Sequence, residues 1–141
     1  MLTSLLVTGA VIALSVLIHY EFLYQFTKLM PKLRIRHRLR VLFGVFAALA
    51  AHTLEVCVYG VTYYLMDGGS GWGSLKGNFD GSLFSAVYFS FTAFTTLGLG
   101  DIEPSGNMRL LVGIESLAGF LLITWSASFL FLEMTRYWDR K

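Results

Sequence analysis

Charge is scarce in this chain, and so are most residues that punctuate a soluble fold. Only 14% of its 141 residues are charged and two are proline, against 55% hydrophobic and a mean hydropathy of +0.63. Soluble domains carry about a quarter charged residues, so the balance excludes an ordinary water-soluble domain and points to a membrane protein. The single cysteine, Cys57, excludes an intrachain disulfide, a metal finger and a redox pair, and reads as a small apolar side chain in a helix. No serine–base arrangement, metal-ligand motif or phosphate-binding loop occurs, which argues against an enzyme and against an organic cofactor. No apolar run carries arginine at every third position, so no voltage-sensing helix is expected. The first residues lack a basic n-region and a small-residue cleavage site, so Leu2 onward is expected to be mature chain rather than signal peptide.

What the chain has instead is long apolar runs. Residues 2–26, 41–66 and 108–132 are each long enough to span. About 25 residues at 1.5 Å each give roughly 38 Å, enough for a ~30 Å hydrocarbon core with some tilt. The basic residues are unevenly placed. Lys28, Lys32, Arg34, Arg36, Arg38 and Arg40 lie between the first two runs, and Arg136, Arg140 and Lys141 follow the third. Only Lys76 and Arg109 remain, so nine of the eleven fall on one side, which the positive-inside rule makes cytoplasmic. The N-terminus is then outside and the C-terminus inside. Met30-Pro31 breaks any helix continuous through the linker. The expected organisation is an N-terminal membrane helix over 1–27, a basic cytoplasmic linker over 28–40, a unit over 41–132, and a short cytoplasmic tail over 133–141 that leaves no room for a ligand-binding domain. The linker reads as a topology determinant near anionic headgroups rather than a specific lipid or nucleic-acid site.

Between the second and third runs the pattern changes. Residues 67–81, DGGSGWGSLKGNFDG, have no hydrophobic periodicity and read as an outside loop ending near residue 82. Asp80 or Ser82 is placed to cap a helix. Residues 83–95 are apolar but give only roughly 20 Å of helix, too short to span and suited to a re-entrant segment. TTLGLGD, residues 95–101, follows directly. Its glycines make it non-helical, and irregular backbone at membrane depth must be buried in protein or line a wet cavity.

TTLGLGD resembles the selectivity filter of the potassium-channel pore family, whose usual form is TTVGYGD. The similarity runs from about Val41 to Leu132: outer helix 41–66, extracellular loop 67–82, pore helix 83–95, filter 96–100, inner helix 108–132. It implies an all-α membrane protein with three transmembrane helices, a re-entrant pore helix and filter, and the tetrameric pore architecture of that family. In that reading the backbone carbonyls of Thr96, Leu97, Gly98 and Leu99, with the Thr96 hydroxyl, replace the hydration shell of K⁺ ions held in the filter. Carbonyls aimed at one axis need backbone that L-residues in one uniform conformation cannot supply, and Gly98 and Gly100 are free to take left-handed values. Tyr88, Phe89, Phe91, Thr92, Thr95, Gly100 and Asp101 support the filter. One loop per chain implies a homotetramer in lipid, with no nucleic acid or soluble protein partner. Gly119 matches the family's hinge glycine, which puts Phe120, Ile123, Ala127 and Phe131 on one pore-facing stripe, Phe131 forming a hydrophobic constriction. The resemblance further implies a multi-pass protein of a cell membrane, of prokaryotic inner-membrane type. Two departures stand out. Leu99 replaces the usual tyrosine, so the filter's cuff is expected to rest on packing of Leu99 against Tyr88, Phe89 and Phe91. Thr92 stands where some members carry a buried acid, so Asp101 is expected to bond Tyr88 or Thr92. Asp67, Asp80, Asp101 and Glu103 outnumber Lys76 and Arg109 outside and make the mouth negative.

Ionisable residues also lie within the apolar runs: His19, Glu21, His52, Glu55 and Glu115. His52 and Glu55 share a helix face, and depth along the helices allows Glu55 and Glu115 to meet behind the pore helix. Three readings of His52, Glu55 and Glu115 stay open: hydrogen-bonded struts for the pore helix, a proton sensor coupled to gating, and a zinc site. His19 and Glu21 are expected to snorkel to the cytoplasmic interface. Beside the potassium-selective channel, two other functions stay open: a weakly selective monovalent cation channel, and a non-conducting membrane interaction subunit with a pore-like fold.

Overall fold

A computed structural model describes residues 2–32 and 36–138. Of the basic residues that set the expected topology, Arg34, Arg140 and Lys141 lie outside the described residues. The chain is mostly helical. Helix α1, Leu2–Leu29, ends in a 3₁₀ turn at Met30–Lys32, where Pro31 removes a backbone donor. Helix α2 runs His37–Met66, α3 runs Leu83–Phe94 and α4 runs Met108–Trp138. Three stretches are long and apolar enough to cross a bilayer: Leu2–Lys32, Leu39–Met66 and Met108–Arg136. The helices overrun the expected bounds: α1 and α2 reach into residues 28–40, and α4 continues past Leu132 into the expected tail.

The N-terminal helix packs on its own chain's α2 and α4. It turns inward Ser4, Thr8, Val11, Ser15, His19, Leu23 and Phe26. Their spacing of three and four is one helical stripe, and small residues at its start let helices approach closely in a membrane. The short α3 is wedged between α2 and α4. Gly60 of α2 allows the contact, since a Cβ there would lie 2.8 Å from the Val87 Cα. The core around α3 is aromatic, with Tyr59, Tyr63, Phe89 and Phe94 buried and Tyr63 set edge-on to Phe89 at 5.1 Å.

The expected loop over 67–82 holds a strand as well. Strand β1, Leu75–Gly77, pairs antiparallel with β2, Ile102–Pro104, in the register Leu75↔Pro104, Lys76↔Glu103, Gly77↔Ile102. The Ser105 hydroxyl donates to the Ser74 carbonyl at 2.8 Å, and Asp67 Oδ1 accepts the Leu75 N–H at 2.8 Å. This ladder ties the chain after residues 95–101 to the chain before α3. The unit made of α3 and residues 95–101 is thereby held at both ends by one small sheet.

Candidate functional site

The candidate site is built from the end of α3 outward. Ser82 caps the helix: its Oγ accepts the Ser85 N–H at 3.0 Å. Asp80 accepts the Ser82 N–H at 2.9 Å, and the Ser82 hydroxyl and N–H hold its carboxyl below the usual carboxylate range. At the far end the chain folds back on the last turn. The Thr96 N–H donates to the Ala93 carbonyl and the Gly98 N–H to the Thr92 carbonyl, each at 3.0 Å. Thr95 donates its hydroxyl to the Phe91 carbonyl at 2.7 Å.

The backbone beyond alternates in hand. Thr96, Gly98 and Gly100 have φ of +59°, +53° and +79°, whereas Leu97 and Leu99 keep negative values. The glycines take the left-handed region as expected of them. Thr96 takes it too, which costs a β-branched residue energy and persists only where the surroundings impose it. Reversing the hand at every second residue turns successive carbonyls toward a common side. Among the described residues, no hydrogen bond is accepted by the carbonyls of Thr96, Leu97, Gly98 or Leu99. The segment's end is pinned: the Asn78 N–H donates to the Asp101 carbonyl at 2.8 Å, and the Tyr88 hydroxyl donates to Asp101 Oδ2 at 3.0 Å. Of the two partners expected for Asp101 the structure provides Tyr88; Thr92 is buried and donates instead to the Phe89 carbonyl at 2.8 Å.

The expected cuff does not form within one chain. Leu99 is 58% and Leu97 64% exposed, and Phe91 is exposed too. Only Phe89 of the aromatic set is buried, and Tyr88 is half-buried. A cavity of about 340 Å³ lies beside the segment, lined by Phe89, Thr92, Gly98, Gly100, Val112 and Ser116. On α4, Phe120, Ile123, Ala127 and Phe131 share an exposed face. Gly119 has a packing role that its reading as a hinge does not include. It lies inside an unbroken helix, and a Cβ on it would sit 2.1 Å from the Phe94 carbonyl oxygen.

The intramembrane acids separate into two sites instead of meeting. Glu115 is fully buried and accepts the Tyr63 hydroxyl on one oxygen and the Ser90 hydroxyl, at 2.5 Å, on the other. Ser90 also faces the Val56 carbonyl at 3.0 Å, so a single hydroxyl links α2, α3 and α4. Glu55 is equally buried and belongs to a different group. Its Oε1 is 3.0 Å from His19 Nδ1 and its Oε2 is 2.9 Å from His52 Nδ1. The expected trio of His52, Glu55 and Glu115 is therefore corrected: Glu115 is engaged by Tyr63 and Ser90, and His19 takes its place. His19 does not snorkel. It is fully buried, because α1 crosses α2 at the level of Glu55, whereas Glu21 stays exposed and accepts the Gln25 amide at 2.5 Å.

Compared with known proteins, residues 51–136 match the model of a family described as ion channels. The match covers more than half of the chain and spans α3, residues 95–101 and nearly all of α4. Neither curated proteins nor solved structures yield a match.

Proposed function

The chain belongs to the ion-channel family, and from that premise we propose that four copies form a potassium-selective pore. It is a membrane protein with three candidate spans, and it is not an enzyme. The observation that carries the proposal is the alternation of backbone hand over residues 96–100, with four successive carbonyls that no donor among the described residues reaches. An unpaired carbonyl in a dry environment is costly. Four copies around an axis convert the cost into a binding site, because the carbonyls of Thr96, Leu97, Gly98 and Leu99 then coordinate K⁺ in place of its water. The apolar exposure of one chain supports assembly. Leu97 and Leu99 need cover, and the cavity beside the filter offers it on a neighbouring copy. The exposed stripe of Phe120, Ile123, Ala127 and Phe131 then lines the path below the filter, with Phe131 as the constriction. Nine basic residues put the linker and C-terminus on the cytoplasmic side.

One observation favours a weaker discrimination between K⁺ and Na⁺. Leu99 has no hydroxyl with which to anchor the filter laterally, and within its own chain it touches no cuff. The test is rubidium and potassium flux into proteoliposomes, with reversal potentials in mixed K⁺ and Na⁺ salts. The expected result is flux with a reversal potential close to that of K⁺, abolished by Gly98→Ala, because an L-residue at φ +53° resists the carbonyl alignment. A reversal potential midway between the two ions shows the weakly selective channel instead. Absence of flux from a well-folded preparation leaves a non-conducting subunit.

A further inference from the structure

The geometry points to a binding site for a divalent transition-metal ion of the zinc class, formed by His19 of α1 with His52 and Glu55 of α2. Two imidazoles and a carboxylate are a donor set that suits zinc, leaving a fourth position for water. One ligating atom from each residue lies within 4.8 Å of the other two. Tetrahedral bonds of about 2.0–2.2 Å hold neighbouring donors roughly 3.3–3.6 Å apart. Small side-chain rotations therefore close the three donors on an ion.

The site is pre-formed by three helices. His52 and Glu55 are i,i+3 on α2, so one helix turn presents both. His19 reaches them from α1, with its ring stacked on that of His52 at 5.1 Å. Its other nitrogen, Nε2, lies 3.4 Å from Ser126 Oγ of α4. A hydroxyl at the second nitrogen is the orienting contact that metal-bound histidines have. With no ion, each Nδ1–H donates to the carboxylate. Coordination takes the proton from Nδ1 and leaves the neutral ring protonated on Nε2, where in His19 the Ser126 oxygen accepts it. Around the site lie the Trp125 ring of α4 at 5.2 Å from His19, the Phe94 ring of α3 at 5.7 Å from His52, and Tyr59 one turn along α2 from Glu55. His19 and Glu55 are sealed, while His52 keeps 18% of its side chain exposed.

The site's place in the fold gives the ion a consequence. It fastens α1 to α2 directly behind Phe94, the last residue of α3 before the filter. The test uses the purified full-length chain in detergent, stripped with chelator, equilibrated with zinc and desalted. We expect roughly one zinc per chain and a rise in Tm that magnesium does not reproduce. His37→Gln, which removes the chain's third histidine, should leave the zinc content unchanged. Glu55→Gln and the double change His19→Gln with His52→Gln should abolish it. Because these changes also remove buried hydrogen bonds, Ser126→Ala serves as the variant that keeps all three ligands. It should weaken zinc at least tenfold, in line with the effect of losing an orienting contact. Zinc content near zero in the unaltered chain, or content that survives Glu55→Gln, overturns the site and leaves a hydrogen-bonded triad. Metal content and unfolding are read without ion flux, so the outcome is independent of whether the pore conducts.

Discussion

Two sets of polar atoms interrupt the apolar segments of this chain, and they are treated in opposite ways. The four carboxylate oxygens of Glu55 and Glu115 are fully buried, and each has a partner inside the chain. The four carbonyl oxygens from Thr96 to Leu99 are in an exposed segment, and none accepts a hydrogen bond among the described residues. Both kinds of group are expensive to leave unpaired in a low-dielectric setting. His52 lies three residues from Glu55 on the same helix, but the other three partners lie 25 to 52 residues away in sequence, so the acids fix how α1, α2, α3 and α4 pack. Among the described residues nothing donates to the carbonyls, yet their backbone is held by N–H bonds to the end of α3 and by a sheet behind. An ordered donor-free row of acceptors is what a cation requires. On the proposed reading, the acids hold the frame and the carbonyls work between copies.

The strongest way to break the contrast acts where the two regions touch. Gly119→Ala puts a methyl 2.1 Å from the Phe94 carbonyl oxygen, a backbone atom that cannot swing aside. Forcing α4 off α3 should cost about 1–3 kcal/mol or more and displace the end of α3 that carries the filter. We expect Tm to fall and ion flux to fall with it. If flux falls while Tm holds, Gly119 acts as the hinge its position first suggests. A smaller effect is expected from Glu115→Leu, which leaves the Tyr63 hydroxyl buried without an acceptor, while Ser90 keeps the Val56 carbonyl. One orphaned buried hydroxyl costs about 1–3 kcal/mol. Thermal unfolding should register that loss, and Glu115→Gln should recover part of it by offering Tyr63 an amide oxygen. Equal Tm for the leucine variant and the unaltered chain would show that the buried acid is not a strut.

Much of this arrangement is legible in the sequence, and what is not has identifiable causes. Three spans, a short apolar helix and a glycine-bearing turn follow from hydropathy and length, since a bilayer sets both. The left-handed values of Gly98 and Gly100 follow from residue type. Thr96 at φ +59° does not, because a β-branched residue argues against it and only the surrounding backbone imposes it. The β1–β2 ladder is three residues long on each side, too short for any alternation to register. The burial of His19 is illegible for a different reason. Position along α1 places it toward the basic flank, whereas its burial depends on where α1 crosses α2. A signal was nevertheless present, since Ser4, Thr8, Val11, Ser15 and His19 recur every three or four residues as a small or polar stripe on an otherwise greasy helix. Glu115 and Glu55 illustrate the same limit: depth along a helix says which groups are level, and rotation about the axis decides which ones meet.

The smallest expected effect sharpens the filter side of the contrast. Tyr88 donates to Asp101 at 3.0 Å, and among the described residues it is the one side-chain bond that ties the filter's outer end to α3. The Asp101 carboxylate, by accepting that hydrogen bond, holds the Tyr88 hydroxyl above its ordinary value of 10.0. A hydroxyl raised in the folded chain contributes fully below its unfolded value. The contribution disappears as the pH rises through the folded one. Conduction that depends on this bond should therefore be level from pH 6 to 9 and decline only in more alkaline solution. Tyr88→Phe removes the bond at every pH. The bond is only half-buried, so global stability should change little. The expected change is confined to the filter: flux that decays faster during sustained conduction, with Tm preserved. Decay indistinguishable from that of the unaltered chain would mean that the β1–β2 ladder and the Asn78–Asp101 backbone bond hold the outer end unaided, and the filter's support would then be entirely main-chain.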